Sequence, residues 1–88
     1  MGYYVYMLKS KGINSVTYVG YTKNIKERLF LHNSGKGAKF TRGRKWEIIY
    51  KKSYNTKSEA MQNEFKLKNN RLKREKFKNI FKFKNNLK

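Results

Sequence analysis

Two short segments near the start of the chain, both rich in aromatic and β-branched residues, constrain the fold most. In residues 3–8, side chains on both alternating faces are aromatic or apolar, which predicts a strand buried partly on both sides. Residues 10–15 favour a turn, and residues 16–21 have β-rich composition again. Because the connection is short, the two strands are expected to form an antiparallel hairpin that brings Tyr6 near Tyr18.

A helix is predicted after this hairpin. Thr22 or Asn24 can cap it, and it begins near Ile25. The side chains of Ile25, Leu29 and Phe30 are expected to face the core.

The second half of the chain adds a strand over residues 46–52 and two helices. Thr56 or Ser58 can cap the first of these helices, whose residues with a 3.6-residue period are Ala60, Met61, Glu64, Phe65 and Leu67. A basic helix is expected over residues 72–80, with Phe77 and Phe81 on one packing stripe. The order β-β-α-β-α-α predicts an α/β (α+β) fold, a three-stranded and mostly antiparallel sheet flanked by helices.

A chain of 88 residues has room for one small core. We expect a single domain over residues 1–80 and a basic C-terminal tail over residues 81–88, with fraying beyond Phe83. The sequence has no cysteine, no long apolar run and no signal segment, so a soluble cytoplasmic protein is expected.

The net charge of +18, from 23 basic residues against 5 acidic ones, indicates a polyanionic partner. Nucleic acid is the leading candidate, and DNA is favoured over RNA. An anionic membrane surface ranks well below it because no segment pairs the charge with a wide apolar face. A ribosome-associated basic protein is a further alternative.

The candidate catalytic residues begin with two three-residue segments that contain tyrosine, here called the aromatic boxes. An arginine, a histidine and one carboxylate follow them along the chain. In order, the set is Tyr4-Val5-Tyr6, Tyr18-Val19-Gly20, Arg28, His32 and Glu64. This ordered set resembles the GIY-YIG nuclease superfamily, over about residues 3–70, and its small stand-alone bacterial members related to the N-terminal nuclease domain of UvrC. The first box departs from the family pattern, since Tyr4 stands for glycine and Val5 for isoleucine.

The resemblance implies a role for each residue. Tyr6 is the first choice for activating water and Tyr18 for orienting water or phosphate, although the two can be exchanged. A phenol with a pKa of about 10 needs nearby cations to lower that value. Arg28 is expected to clamp the phosphate, and His32 to assist proton transfer or bind the phosphate.

Glu64 is the expected ligand of one divalent cation, Mg²⁺ or Mn²⁺. The chain has no aspartate, and Glu59 is the competing carboxylate. One carboxylate suffices for a cation that keeps much of its water shell. Gly20 fits a place where backbone or substrate passes close to the strand. An alternative for Glu64 is a helix-surface pair with Lys68.

The glycine-rich segment between the first helix and the third strand resembles a DNA-facing loop. His32 and the residues after it match the His-Asn-x-Gly-x-Gly pattern of the stand-alone members. Phosphate contacts are expected from its cations and from one near the second box: Lys23, Lys36, Lys39, Arg42 and Arg44. Phe40 can pack or stack there.

Together these features predict a metal-dependent endonuclease that hydrolyses DNA phosphodiesters, in repair or recombination. A protein partner could supply its specificity. The alternative is a non-catalytic basic module that binds nucleic acid by charge alone.

Overall fold

The computed structural model describes residues 2–12 and 14–86. Its elements are β1 (Tyr3–Ser10), β2 (Thr17–Thr22), α1 (Ile25–Asn33), β3 (Trp46–Tyr54), α2 (Lys57–Lys68) and α3 (Arg71–Asn86). One 3-10 turn, Lys39–Thr41, interrupts the segment between α1 and β3. The predicted order β-β-α-β-α-α and the α+β class are confirmed. Residue 13 of the predicted turn, residue 1 and residues 87–88 of the predicted tail lie outside the described residues.

The sheet has the strand order β2-β1-β3, and both pairings are antiparallel. Strand β1 is therefore central, which explains why its residues are apolar or aromatic on both faces. In the hairpin, Tyr6 lies opposite Gly20 and Leu8 opposite Tyr18. This register places the rings of Tyr6 and Tyr18 6.4 Å apart, as the hairpin prediction required.

The core has two parts because helices cover both faces of the sheet. On one face, α2 and α3 pack through Ala60, Leu67 and Phe77 against a group that includes Val5 and Met7. On the other face, α1 packs against buried side chains of β1 and β3, and the residues of this part are Tyr6, Leu8, Trp46, Ile25 and Leu29. Alternate residues of β1 thus serve opposite halves of the core.

Side chains cap the starts of α1 and α2. The Asn24 side chain accepts a hydrogen bond from the backbone N–H of Glu27 at 3.1 Å. Thr56 does the same for Glu59 at 3.1 Å. Of the alternatives left open by the sequence, Asn24 and Thr56 are therefore the caps.

Phe30 does not face the core as expected, since 70% of it is exposed. Residues 25, 29 and 32 share the inward face of α1. Residue 30, one position after Leu29, lies on the outward side of the helix. The inward residue near the end of α1 is the polar His32, which an apolar pattern does not reveal. In α2, Met61 and Phe65 are likewise exposed, beside the buried Ala60 and Leu67.

Helix α3 continues to Asn86, so the expected end near Ile80 and the fraying beyond Phe83 are wrong as far as this helix is described. Its packing stripe is confirmed. Phe77 stacks on Tyr50 with ring centroids 4.2 Å apart, and the Lys9 ammonium lies 5.8 Å from the ring of Phe81. No helix within the described ranges is long and apolar enough to cross a membrane.

Candidate active site

An open cleft of about 540 Å³ lies beside the edge strand β2. Residues of β1, β2, α1 and α2 line it. The lining includes every residue to which the sequence analysis gave a catalytic role, namely Tyr6, Tyr18, Arg28, His32 and Glu64. Gly20 and Lys23 are part of the same lining. Motifs from four different elements therefore meet on one concave surface.

Tyr6 and His32 are linked by a buried hydrogen bond of 2.8 Å between the phenol oxygen and Nε2. The other ring nitrogen, Nδ1, lies 2.9 Å from the hydroxyl oxygen of Thr41. Thr41 donates its one hydroxyl proton to the carbonyl of Ala38 at 2.9 Å. Its oxygen must therefore accept from the N–H at Nδ1, so Nε2 carries no proton and accepts from the Tyr6 phenol.

Burial acts on the ionisation of both groups, since Tyr6 is 3% exposed and His32 is 1% exposed. Loss of hydration raises the pKa of Tyr6, and Tyr18 and Glu64 raise it further, while Arg28 opposes them. The expectation that nearby cations lower this pKa is therefore wrong, because desolvation outweighs the guanidinium. Burial and then Arg28 lower the pKa of His32 from its ordinary value of 6.5. Both groups are neutral at pH 7.

The residues that follow His32 hold its ring in place. Asn33 clamps the start of β3 by accepting from the Trp46 backbone N–H at 2.5 Å and donating to its carbonyl at 3.3 Å. The Trp46 indole donates to the Thr41 carbonyl at 2.9 Å. A Cβ on Gly37 would lie 2.7 Å from Cγ of the imidazole, so glycine is required there. The His-Asn-x-Gly-x-Gly pattern thus has a packing explanation around one buried ring.

Tyr18 lies at the rim of the buried pair and is itself half-buried. Its ring centroid is 4.9 Å from that of His32, with the planes tilted by 58°. A Cβ on Gly20 would lie 2.6 Å from the Tyr6 hydroxyl and 3.1 Å from the Tyr18 ring. Glycine at position 20 therefore leaves the space that both phenols occupy.

The cleft has an excess of positive charge. Lys23, Arg28 and Lys57 line it against the single carboxylate of Glu64. Arg28 lies near enough to Tyr6 and His32 to act on the pKa of both. Sequence reasoning missed Lys57, although its spacing of seven residues before Glu64 places both on one face of α2.

Glu64 is 17% exposed at its side chain, and Lys68 lies 3.3 Å from one of its oxygens. The helix-surface pair and the cleft position therefore coexist. Glu59, the competing ligand, is exposed and accepts from the Thr56 hydroxyl at 3.2 Å, outside the cleft lining. Within residues 2–12 and 14–86, no group of three or more metal-binding side chains occurs. The donor set fits a hard cation that keeps most of its water ligands.

The predicted DNA-facing segment stands next to the cleft without lining it. Its four cations are all exposed: Lys36, Lys39, Arg42 and Arg44. Phe40, in the same segment, stacks on Tyr18 with centroids 6.2 Å apart and planes 22° from parallel. Thr41 connects the segment to His32. Two neighbouring side chains thus fix this basic segment to the site.

The model of the GIY-YIG catalytic domain family matches residues 2–79, so this chain belongs to the GIY-YIG family, a family of nucleases. The resemblance noted in the sequence is thereby confirmed. The chain is 48% identical to a UPF0213 protein of Oceanobacillus iheyensis, over 75% of this chain and 76% of that protein. It is 45% identical to a UPF0213 protein of Staphylococcus haemolyticus, over 75% of this chain and 79% of that protein.

A solved structure is also similar, the solution NMR structure of the UPF0213 protein BH0048 from Bacillus halodurans. The identity is 38%, the TM-score is 0.53, and the match covers 91% of this chain and 85% of that one. The names of these relatives state no activity. The family assigns a nuclease fold, and the chemistry must be argued from the site.

Proposed function

We propose that this protein is a divalent-metal-dependent endonuclease that hydrolyses DNA phosphodiester bonds. The observation that carries the proposal is the meeting of two phenols, an imidazole, a guanidinium and a carboxylate in one cationic cleft. Phosphodiester hydrolysis needs a group that takes a proton from the attacking water and positive charge against the phosphorane. Family membership supports nuclease chemistry in general, and divalent metal use is usual in the family.

Tyr6 takes the proton from the attacking water in this scheme, and His32 takes the proton that Tyr6 gives up. As the water oxygen bonds to phosphorus, its proton moves to the Tyr6 oxygen while the phenol proton moves to Nε2 of His32. The bond from phosphorus to the leaving oxygen breaks in the same displacement, that oxygen takes up a proton from water, and His32 then returns its proton to the solvent of the open cleft. The direction follows from the hydrogen bond, in which Tyr6 donates and His32 accepts. Because both groups are neutral at rest, the phenol is not ionised in advance and its transfer accompanies attack.

Arg28 binds the non-bridging phosphate oxygens, where its planar fork meets the charge that grows during attack. Arg28 acts on the pKa of both Tyr6 and His32, so its positive guanidinium is close to the proton relay. Tyr18, at the rim of the pair, orients the water or the phosphate. Lys23 and Lys57 add positive charge that favours entry of the DNA backbone.

Glu64 would hold the cation, Mg²⁺ or Mn²⁺, through its carboxylate, and the ion would supply positive charge that stabilises the transition state. Its partner Lys68 is half-exposed, so the ammonium can leave the carboxylate at small cost. Since a single carboxylate lines the cleft, a one-metal site is the arrangement that these residues support.

A cleavage assay tests the proposal. Supercoiled plasmid and branched DNA are incubated with Mg²⁺, Mn²⁺ or EDTA and the purified chain. Glu64→Gln and Arg28→Ala should each lower the rate by about 100-fold or more, the usual loss for a catalytic group. Matched controls are Glu75→Gln and Arg71→Ala, at exposed positions of α3; both should cut at close to the wild-type rate.

Cutting that survives both cleft substitutions would show that another site or a contaminant is responsible. If no metal supports cutting while DNA binding persists and weakens with salt, the protein is a non-catalytic basic binding module. The net charge of +18 supports binding in either case. A cytoplasmic location and a role in DNA repair or recombination, with a protein partner that supplies specificity, are part of the proposal for the catalytic case.

A further inference from the structure

A second groove, here called the flanking groove, borders the catalytic cleft. Its volume is about 280 Å³, and its lining consists of Thr17, Tyr18, Val19, Phe40, Lys68 and Arg74. Tyr18 lines both the groove and the cleft. A strand of DNA held at the cleft therefore has a continuous path into the groove.

Phe40 gives the groove an aromatic surface. Its ring stacks on Tyr18 and also lies 6.3 Å from the Trp46 ring, yet 57% of the residue is exposed. Leaving this much of a phenylalanine in water costs hydrophobic free energy, while the neighbouring packing fixes its position. An exposed ring held between aromatic neighbours beside a cationic cleft is a surface of the kind on which proteins stack unpaired bases.

Two cations complete the groove. Lys68 is 53% exposed at its side chain, and its contact with Glu64 is a surface pair on α2. Arg74 of α3 is half-buried, and its Nε has no hydrogen-bond partner among the described residues. Nε is buried without an internal acceptor in the described part of the chain, so an acceptor brought into the groove can satisfy the guanidinium. A phosphate is such an acceptor.

We infer that the flanking groove binds one unpaired nucleotide next to the bond that is cut. The base stacks on Phe40, and the adjoining phosphate meets Lys68 and Arg74. Bases within a duplex already stack on both neighbours, so a nucleotide can use Phe40 only after it leaves the helix. The preferred substrate is therefore DNA with single-stranded character, such as a flap, a gap or a branch point. This inference rests on the proposed nuclease function for its choice of substrate.

Binding measurements test the groove without relying on cleavage. All variants carry Glu64→Gln and are measured in EDTA, against a fluorescent oligothymidylate and a duplex of equal length. Phe40→Leu should weaken single-strand binding by about ten-fold, from the usual worth of one base stack, and should change duplex binding by less than two-fold. Phe30→Leu is the matched control, since Phe30 is 70% exposed on α1 and lies outside both linings.

A stacking readout separates this role from a structural one. A single 2-aminopurine in the oligonucleotide should lose fluorescence on binding to the parent protein and keep it on binding to Phe40→Leu. Phe40→Trp should restore both the affinity and the quenching. Arg74→Gln should lower the slope of log Kd against log salt by about 1 for the single strand. Far-UV circular dichroism checks that each variant is folded.

Several results would overturn the inference. They are equal losses on single-stranded and duplex DNA, no 2-aminopurine response, or displacement of the oligonucleotide by an acidic peptide at equal charge concentration. Each would reduce the groove to a patch of positive charge. A protein that never cuts DNA but shows the Phe40 dependence sinks the nuclease proposal alone. A protein that cuts DNA without this dependence sinks the groove alone.

Discussion

The phenol oxygen of Tyr6 lies 2.8 Å from Nε2 of His32, although the two residues are 26 positions apart. Tyr6 comes from the central strand and His32 from the inward face of α1. The hydroxyl of Thr41 fixes which imidazole nitrogen accepts. Three elements therefore build a single proton acceptor, and its members are expected to act as a unit.

Removal of either end of the relay should have nearly the same effect as removal of both. Tyr6→Phe and His32→Gln should each lower the cleavage rate by about 100-fold or more, because each interrupts the same proton transfer. The double variant should be no more than a few-fold slower than the worse single variant. Single-turnover rates on one oligonucleotide substrate measure this. Losses that multiply in the double variant would show that the two residues act independently.

Thr41→Val should damage the relay without touching the cleft lining. It removes the acceptor of the imidazole N–H and leaves a buried donor unpaired, which costs about 1–3 kcal/mol of unfolding free energy. Without the Thr41 hydroxyl, the imidazole proton can lie on Nδ1 or on Nε2, and a proton on Nε2 prevents that nitrogen from accepting from Tyr6. The cleavage rate should therefore fall even at temperatures where the protein is folded. Thr41→Ser keeps the hydroxyl and should retain most of the activity. Equal activity in both variants would contradict the assigned tautomer. Urea unfolding and cleavage rates supply the two readouts.

Acid should affect His32 in a defined direction. Its pKa in the folded protein lies below the ordinary value of 6.5, because burial and then Arg28 disfavour the imidazolium. The unfolded chain therefore takes up the proton first as the pH falls. The stability from the neutral buried ring is present above pH 6.5 and is lost progressively below it.

Thermal unfolding between pH 8 and pH 5 measures this contribution. The melting temperature of the wild type should fall more steeply below about pH 6.5 than that of His32→Gln, which has no group to protonate at this position. Cleavage by the folded protein should stay constant through that pH and decline only at lower pH, where His32 of the folded protein itself takes up a proton. Parallel melting curves for the two proteins would show that His32 does not control the acid sensitivity.

The fold was predictable where local pattern and tertiary packing agree. The β1–β2 hairpin follows from two aromatic segments and a short turn, and the caps at Asn24 and Thr56 follow from their side-chain chemistry. Phe30 was misplaced because a short helix has apolar residues on more than one face, and packing chose the face that includes His32. Helix α3 extends past its predicted end, because its lysine-rich sequence contains no glycine or proline that would mark where the helix stops.

The candidate site shows a similar division. The ordered motifs identified residues that do share the cleft. The sequence could not show that Thr41 orients His32, because a threonine in a glycine-rich segment has no local pattern that marks it. It also could not show that burial raises the pKa of Tyr6, since desolvation depends on how α1 closes over β1. Lys57 was accessible through its spacing from Glu64 alone.

Gly37→Ala should displace the imidazole and so disable the relay. A methyl group there would come within 2.7 Å of Cγ and 2.9 Å of Cα of His32, so the ring or the backbone that carries it must shift. The cleavage rate should fall by about 10-fold or more as the ring loses its alignment. Gly43→Ala is the control: its φ is +81°, but nothing lies within 4 Å of an added Cβ. It should cost about 1–2 kcal/mol of unfolding free energy from backbone strain alone, and activity below its melting temperature should be unchanged. A Gly37→Ala protein that is folded and fully active would show that the position of the imidazole is not needed for cleavage.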